Sequence, residues 1–160
     1  MYCSEEQAIN VVKWDGEALC NLSDELKNNE RVVTIAVTMR GLALNHASRE
    51  LKNNVGIVTA AVTQNGRALY FASDELKGNE RVVTIAVTQD GCMLQFASDE
   101  LRNNKRAVTV AVAQDGDALQ FASHNQKGTI SVVLTALRQN PLSLKYISQE
   151  FIIAAVMQYH

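Results

Sequence analysis

The sequence predicts an all-α solenoid of about six and a half two-helix repeats, each 25 residues long. Three observations support this prediction: the sequence repeats itself every 25 residues, apolar residues recur at helical spacing, and a glycine and a leucine follow at fixed places. Self-similarity of this period is typical of repeat architectures, in which each repeat buries its apolar face against its neighbours. We treat residues 1–160 as a single repeat domain, divided into repeats 7–31, 32–56, 57–81, 82–106, 107–131 and 132–150 with a terminal half-repeat at 151–160.

The first half of each repeat predicts an amphipathic helix. Repeat positions are counted from Gln7, so that Val82 is position 1 of repeat 4. Positions 1, 2, 5 and 6 are nearly always apolar, and on a helix they form a stripe about 140° wide. Val, Ile and Thr also favour strands, but strict alternation would leave a mixed surface on one face. Position 5 favours the helix, because a small residue there suits close helix packing: Ala36, Ala61, Ala86, Ala111 and Ala136.

Polar residues ahead of these helices predict their N-terminal caps. Ser4 precedes the first helix, and Gln7 three residues later completes a capping-box pattern. An asparagine stands at the corresponding place before four later helices: Asn29, Asn54, Asn79 and Asn104.

The second half of each repeat predicts a second helix. Position 10 is glycine in five repeats, which predicts a left-handed residue that ends the first helix: Gly16, Gly41, Gly66, Gly91 and Gly116. Leucine occupies position 13 in all six repeats and forms a second apolar stripe with positions 12, 16 and 20. Serine occupies position 17 in all six. It either bonds to a carbonyl one turn earlier or caps a separate short helix, and the sequence leaves both alternatives open.

The repeat resembles a tandem family known as domain of unknown function 4116. The resemblance rests on Ala86, Val87, Gln89, Gly91, Leu94, Ala97, Ser98, Glu100 and Leu101 and their equivalents, and it covers Val32 to Ser123 well. Asn125 and Gln126 depart from the pattern where Glu and Leu are expected, which predicts a distorted joint after repeat 5. The resemblance implies an all-helical array of a kind met in intracellular bacteria, including their secreted effectors, and in protists. It implies no active site.

Composition and charge narrow the function classes. The chain is 47% apolar with a formal net charge of −2, which argues against a nucleic-acid or anionic-membrane surface. Cys3, Cys20 and Cys92 are odd in number and far apart, which indicates free thiols in a reducing compartment. The N-terminus shows no signal peptide, and no apolar run reaches membrane-spanning length. We therefore expect a cytoplasmic protein, or one in the host cytosol if it is a secreted effector.

No residue pattern predicts catalysis, a metal or a cofactor. His46 and His124 lie in different repeats, and His160 is the last residue. Position 15 is aromatic in most other repeats, so His46 is interpreted as a partly buried packing residue rather than a base. We therefore expect a non-enzymatic protein with no cofactor.

The sequence places its greatest variety at positions 11, 14 and 18, which are predicted to cluster opposite the second apolar stripe. A uniform frame that displays varied side chains is how solenoids offer an extended binding surface. We predict that a protein partner binds at Leu42, Asn45, Arg67, Tyr70, Cys92, Gln95, Asp117 and Gln120. One alternative is a reader of single-stranded RNA, which the acidic balance makes unfavourable, and another is a spacer without a partner of its own.

The last helix predicts self-association. Residues 151–158 match the first eight repeat positions, but Ile153 and Met157 are apolar where the middle repeats carry threonine. A terminal repeat normally presents a polar outer face. We therefore predict that Ile153 and Met157 are buried, either in a homodimer formed end to end or under Tyr159 and the last turn, and we favour the homodimer.

Overall fold

The computed structural model describes residues 4–157, and all the regular secondary structure in that range is helical. The contacts define two compact units, residues 1–86 and residues 87–160. Within each unit, successive helical repeats of about 25 residues pack side by side. The predicted fold class, an all-α repeat solenoid, is confirmed.

Each repeat contributes three helical segments in a fixed order: a long α-helix, a six-residue 3₁₀ helix and a third segment. The third segment is a four-residue α-helix in repeats 1, 3, 4 and 5, a 3₁₀ helix in repeat 2 and a nine-residue α-helix in repeat 6. Repeats 1 and 2 contain α1 (Glu5–Trp14), the 3₁₀ helix Gly16–Asn21, α2 (Asp24–Lys27), α3 (Glu30–Met39) and the 3₁₀ helices Gly41–His46 and Leu51–Asn53. Repeats 3 and 4 contain α4 (Val55–Gln64), Gly66–Phe71, α5 (Asp74–Lys77), α6 (Glu80–Gln89), Gly91–Phe96 and α7 (Asp99–Arg102). The remainder is α8 (Lys105–Gln114), Gly116–Phe121, α9 (His124–Lys127), α10 (Ile130–Gln139), Pro141–Tyr146 and α11 (Gln149–Met157).

The long helices begin at the predicted caps. The side chain of Asn29 accepts a hydrogen bond from the Val32 amide at 3.1 Å, and Asn79 accepts one from Val82 at the same distance. Ser4 accepts from the Gln7 amide at 3.3 Å. Each cap pairs an amide that the first turn of a helix leaves without an intrahelical partner. The capping predictions are therefore confirmed at these positions.

The predicted second helix is two helices separated by two extended residues, such as Ala72 and Ser73, and serine at position 17 explains the break. Ser73 caps α5 by accepting a hydrogen bond from the Leu76 amide at 3.2 Å. The Ser73 hydroxyl also donates to the side chain of Asn53, and its amide donates to the Lys52 carbonyl at 3.0 Å. The serine therefore caps the short helix, which decides between the two alternatives, and it also ties its repeat to the preceding one.

The prediction of a left-handed glycine at position 10 is wrong. Among residues 4–157 no glycine has positive φ, and Gly91 is the first residue of a 3₁₀ helix. The long helix ends instead at an extended residue, Asp90, whose side chain accepts a hydrogen bond from the Cys92 amide at 3.1 Å. Glycine is required for space: a Cβ on Gly91 would lie less than 3.0 Å from the carbonyl oxygen of Ala111 in the next repeat. The same approach recurs at Gly16, Gly41 and Gly116.

A glutamine at repeat position 8, the last residue of the long helix, forms hydrogen bonds across the junction between neighbouring repeats. In repeat 3 the Gln64 side-chain oxygen accepts from the Gly41 amide at 2.5 Å, and its nitrogen donates to the Met39 carbonyl at 3.5 Å. Gln114 bonds in the same way to Gly91 and Gln89, and Gln139 to Gly116 and Gln114. We call this pair of bonds the glutamine clamp. It pairs the two backbone groups left free where the long helix gives way to the 3₁₀ helix.

Position 13 is a leucine in every repeat, and the last of these leucines, Leu144, differs from the others in its exposure. Leu19, Leu44, Leu69, Leu94 and Leu119 are fully buried. Leu144 is 57% exposed, and among residues 4–157 no further 3₁₀ helix follows it. Burial of a leucine contributes about 1.5–3 kcal/mol, so exposure of Leu144 leaves the terminal repeat less well covered.

The joint after repeat 5 is not distorted, contrary to the expectation from Asn125 and Gln126. Ser123 still caps α9 by accepting from the Gln126 amide at 3.3 Å. The Gln126 side chain takes the buried place of a leucine and donates to the Asn103 carbonyl at 2.8 Å. A backbone bond from the Ser148 amide to the Lys127 carbonyl, 3.2 Å long, continues the stack. Backbone pairing and the serine cap thus hold the joint whichever side chain occupies that place.

We predict that Gly91→Ala lowers the free energy of unfolding by about 2–3 kcal/mol, because the new Cβ meets backbone that cannot move aside. Gly56→Ala is the matched control: Gly56 is exposed on α4, and its nearest neighbour would be the Asn54 side-chain oxygen at 3.3 Å. That change should raise stability by about 0.4–1 kcal/mol. Urea unfolding of both variants measures the difference. Equal stability of Gly91→Ala and the parent would contradict the close approach.

Candidate interaction surface

The 3₁₀ helices decide which side chains share a face. A 3₁₀ helix has three residues per turn, so residues three apart lie directly above one another. Positions 10 and 13 therefore point into the core, as Gly91 and Leu94 do. Positions 11 and 14 share a different face, and the eight predicted partner-binding residues are all partly or fully exposed there. Position 18, which the sequence grouped with them, lies on the following short helix instead.

The unit 1 ridge is formed by Leu42, Asn45, Arg67 and Tyr70. The two 3₁₀ helices that carry them pack against each other, so the four side chains occupy one surface. Tyr70 is exposed, and its ring meets Phe71 edge to face with centroids 5.0 Å apart. The ridge thus presents an apolar, an amide, a cationic and an aromatic side chain in adjacent repeats.

The unit 2 ridge is formed by Cys92, Gln95, Asp117 and Gln120. Gln95 donates to the Cys92 carbonyl and Gln120 to the Asp117 carbonyl, each at 3.1 Å. The Asp117 carboxylate accepts from the Asn140 side chain at 2.8 Å. These bonds hold the polar side chains of the ridge in defined positions.

His46 lies beside the unit 1 ridge and is partly buried, as the sequence predicted. Its Nε2 atom lies 2.8 Å from one oxygen of Glu17, and the Nε atom of Arg40 lies 2.9 Å from the other oxygen. Glu17 occupies position 11 of repeat 1. One carboxylate thus joins two basic side chains of the next repeat.

The Cys92 thiol is held in its protonated form. Burial, followed by its hydrogen bond to Asp115 at 3.2 Å and the nearby acidic charges, raises the pKa of Cys92 to about 12. Because the thiolate is the nucleophile, Cys92 is a weak one at neutral pH. Cys20 is also a free thiol, and Cys3 lies outside the described residues.

We predict that Cys92 reacts with iodoacetamide at pH 8 roughly a hundredfold more slowly in the folded chain than in guanidinium chloride. Asp115→Asn should raise the rate in the folded chain, because it removes a negative charge and keeps the side-chain oxygen that caps the 3₁₀ helix. Asn65 and Asn140 cap their helices with that same oxygen. Peptide mapping by mass spectrometry follows alkylation at Cys92. Equal rates in the folded and unfolded chains would contradict the raised pKa.

Residues 4–157, which the structure describes, contain neither a metal-binding cluster nor a membrane-spanning helix. No group of three or more His, Cys, Asp or Glu side chains in that range is placed to hold a metal ion. None of the helices in the same range is both long and apolar enough to cross a bilayer. His160 lies outside the described residues.

The terminal helix α11 places Ile153 and Met157 on its exposed surface, 58% and 74% exposed. The two residues are four apart and therefore share a face. The helix starts at Gln149, two residues before the predicted segment, with Ser148 accepting from the Phe151 amide at 3.3 Å. α11 thus occupies the place that the short helix has in the other repeats, but it is nine residues long in total.

Comparison with known families identifies the repeat. The family described as Domain of unknown function (DUF4116) matches residues 4–52, 29–77, 79–127 and 108–152. The chain belongs to the DUF4116 family. Each match spans about two of the 25-residue repeats, and the first two matches are offset by one repeat. Comparisons of the chain with curated proteins and with solved structures give no significant match.

Sequence reasoning missed two features of DUF4116 repeats in this chain. The first is the Asp or Asn at position 9, which caps the 3₁₀ helix, as Asp15 does by accepting from the Glu17 amide at 3.0 Å. An Asp or Asn directly before glycine is a turn signal and could have revealed it. The second is the glutamine clamp, whose signal is glutamine at position 8 in repeats 3 to 6.

Proposed function

We propose that this DUF4116 protein is a non-enzymatic scaffold that binds a protein partner through the unit 1 and unit 2 ridges. One observation carries the proposal: positions 11 and 14 differ in chemistry from repeat to repeat, while the frame beneath them keeps the same glycines, alanines and leucines. On a 3₁₀ helix these two positions form one continuous face. Repetition of the frame with variation of that face is how solenoids create extended binding surfaces.

The side chains of the ridges suit a protein partner. Arg67 and Tyr70 are of the residue types that dominate the binding energy of protein interfaces. Gln95 and Gln120 are already bonded to their own 3₁₀ helices, so little conformational freedom is lost when a partner binds them. The mixture of charge, amide and aromatic groups favours a folded protein surface over a uniformly charged polymer.

The proposed compartment is the cytoplasm, or the host cytosol if the protein is a secreted effector. Free thiols at Cys20 and Cys92 support a reducing environment. The experiment must also distinguish protein binding from RNA binding. The affinity for RNA would fall steeply as the salt concentration rises.

Proximity labelling in cells, followed by binding measurements with purified candidates, tests the proposal. We expect Arg67→Ala/Tyr70→Ala and Gln95→Ala/Gln120→Ala to weaken binding of the partner at least tenfold without lowering the melting temperature. Thr38→Ala/Thr63→Ala is the control, because both threonines are exposed on long helices away from the ridges. A partner that binds all three variants equally, or the recovery of RNA alone, would refute the ridge as the interface.

We also propose that the protein forms a homodimer through α11. Ile153 and Met157 are exposed on that helix, and Leu144 is exposed in the preceding 3₁₀ helix. Covering these side chains removes apolar surface from water, which stabilises the associated state. Tyr159, which the sequence offered as an alternative cover, lies outside the described residues.

Multi-angle light scattering tests the homodimer. We expect the parent to be a dimer at micromolar concentration and Ile153→Thr/Met157→Thr to be a monomer. Ile130→Thr/Leu134→Thr is a matched control, because these residues are also four apart and are 65% and 47% exposed on α10. A monomeric parent, or loss of the dimer in the control alone, would contradict the assignment to α11.

A further inference from the structure

The junction between repeats 1 and 2 lacks the glutamine clamp. Position 8 of repeat 2 is Met39, whose thioether cannot reproduce the paired donor and acceptor of a carboxamide. Among residues 4–157 the Gly16 amide finds no acceptor and the Trp14 carbonyl no donor. The corresponding groups at the next junction, the Gly41 amide and the Met39 carbonyl, are both bound by Gln64. Repeat 1 therefore presents a donor and an acceptor at the spacing that one carboxamide spans elsewhere in this chain.

Gly16 and Trp14, which carry these two groups, both line an open groove of about 420 Å³. Trp14, which is 91% exposed, and Met39, which is 51% exposed, line it together with Leu42. Gly16 itself is buried. The groove thus combines an apolar wall with one unpaired backbone N–H and one unpaired backbone C=O.

We propose that this groove binds the side-chain carboxamide of a glutamine or asparagine on a partner protein, beside an apolar residue that packs on Trp14. The proposal rests on the proposed function only in assuming a protein partner. Its site differs from the ridges in every residue except Leu42. The binding mode is the one that Gln64, Gln114 and Gln139 display within the chain.

The pairing of one donor with one acceptor selects a primary carboxamide. Its oxygen and one of its N–H groups point the same way, so it can accept from Gly16 and donate to Trp14 at once. A trans peptide group points its N–H and C=O in opposite directions and cannot do so. A carboxylate would place its second oxygen beside the Trp14 carbonyl oxygen, and neither of these atoms can donate a hydrogen bond. Asp15 and Glu17 beside the groove also repel a carboxylate, and Arg40 is already paired with Glu17 at 2.9 Å.

The test titrates the ¹⁵N-labelled 160-residue chain with the peptide acetyl-Gly-Leu-Gln-Leu-Gly-N-methylamide, whose only primary carboxamide is the glutamine side chain. We expect a saturable shift of the Gly16 amide resonance and a change in the fluorescence of Trp14, the single tryptophan. The Gly41 amide, which Gln64 already binds, should not move. Peptides with Glu or Met in place of Gln should bind about tenfold more weakly or worse.

Two variants should move the carboxamide site from the junction at Gly16 to the junction at Gly41. Met39→Gln supplies the missing clamp, so the Gly16 amide should take the shift of a bonded glycine and stop responding to peptide. Gln64→Met removes the next clamp, so the Gly41 amide should begin to respond.

A silent Gly16 amide in the parent, equal binding of the Glu peptide, or a full response in Met39→Gln would overturn the proposal. A Gly16 shift that depends on protein concentration without peptide would assign the groove to a second copy of the chain and would also overturn it. A partner that still depends on the ridges while Gly16 stays silent refutes the carboxamide site and leaves the scaffold proposal standing.

Discussion

The close approach of each long helix to the glycine of the preceding repeat constrains much of the remaining structure. Where Ala111 O faces Gly91 and Ala136 O faces Gly116, a Cβ on the glycine would lie closer than 3.0 Å. That proximity requires glycine at position 10, and it favours alanine at position 5, where a larger side chain would hold the helices apart. The conformation of the glycine itself is ordinary. Its role is to leave space rather than to adopt an unusual dihedral.

The hydrogen bonds at the junction follow from that approach. A chain that leaves a long helix through one extended residue and enters a 3₁₀ helix leaves an amide and a carbonyl unpaired at the bend. A glutamine from the next repeat reaches both when the repeats are this close, as Gln114 does at Gly91 and Gln89. At position 17, Ser123 combines a helix cap with a bond to Asn103, 2.7 Å long, in the previous repeat. The recurring glutamine at position 8 and serine at position 17 therefore pair backbone groups that packing alone would leave unsatisfied.

The same frame frees other positions for function. Because positions 10 and 13 of the 3₁₀ helix carry the packing, positions 11 and 14 vary without cost to the core. Arg67 and Tyr70 in unit 1, and Asp117 and Gln120 in unit 2, use that freedom. Met39 is a departure of another kind, because it changes a residue of the frame itself and exposes the backbone that the frame normally covers. Variation on the face and variation in the frame thus supply the two surfaces that we propose for recognition.

The sequence by itself determined the period, the helical class and the residues of the core. A helix that buries one face needs apolar residues at a regular spacing, and that spacing can be seen in the sequence alone. It also determined the caps at Ser4 and at the asparagines before the long helices, since those are local interactions within three residues, whereas the structure decided that serine at position 17 is a cap. Only the tertiary structure decided that the second helix divides at Ala97 into a 3₁₀ and an α segment, and that Gly91 is needed for space. Both depend on atoms about 20 residues away, such as the Ala111 carbonyl, whose distance no local pattern encodes. For the same reason, no local pattern encodes the open junction at Met39, which depends on Gly16 and Gln64 from two other repeats in the folded chain.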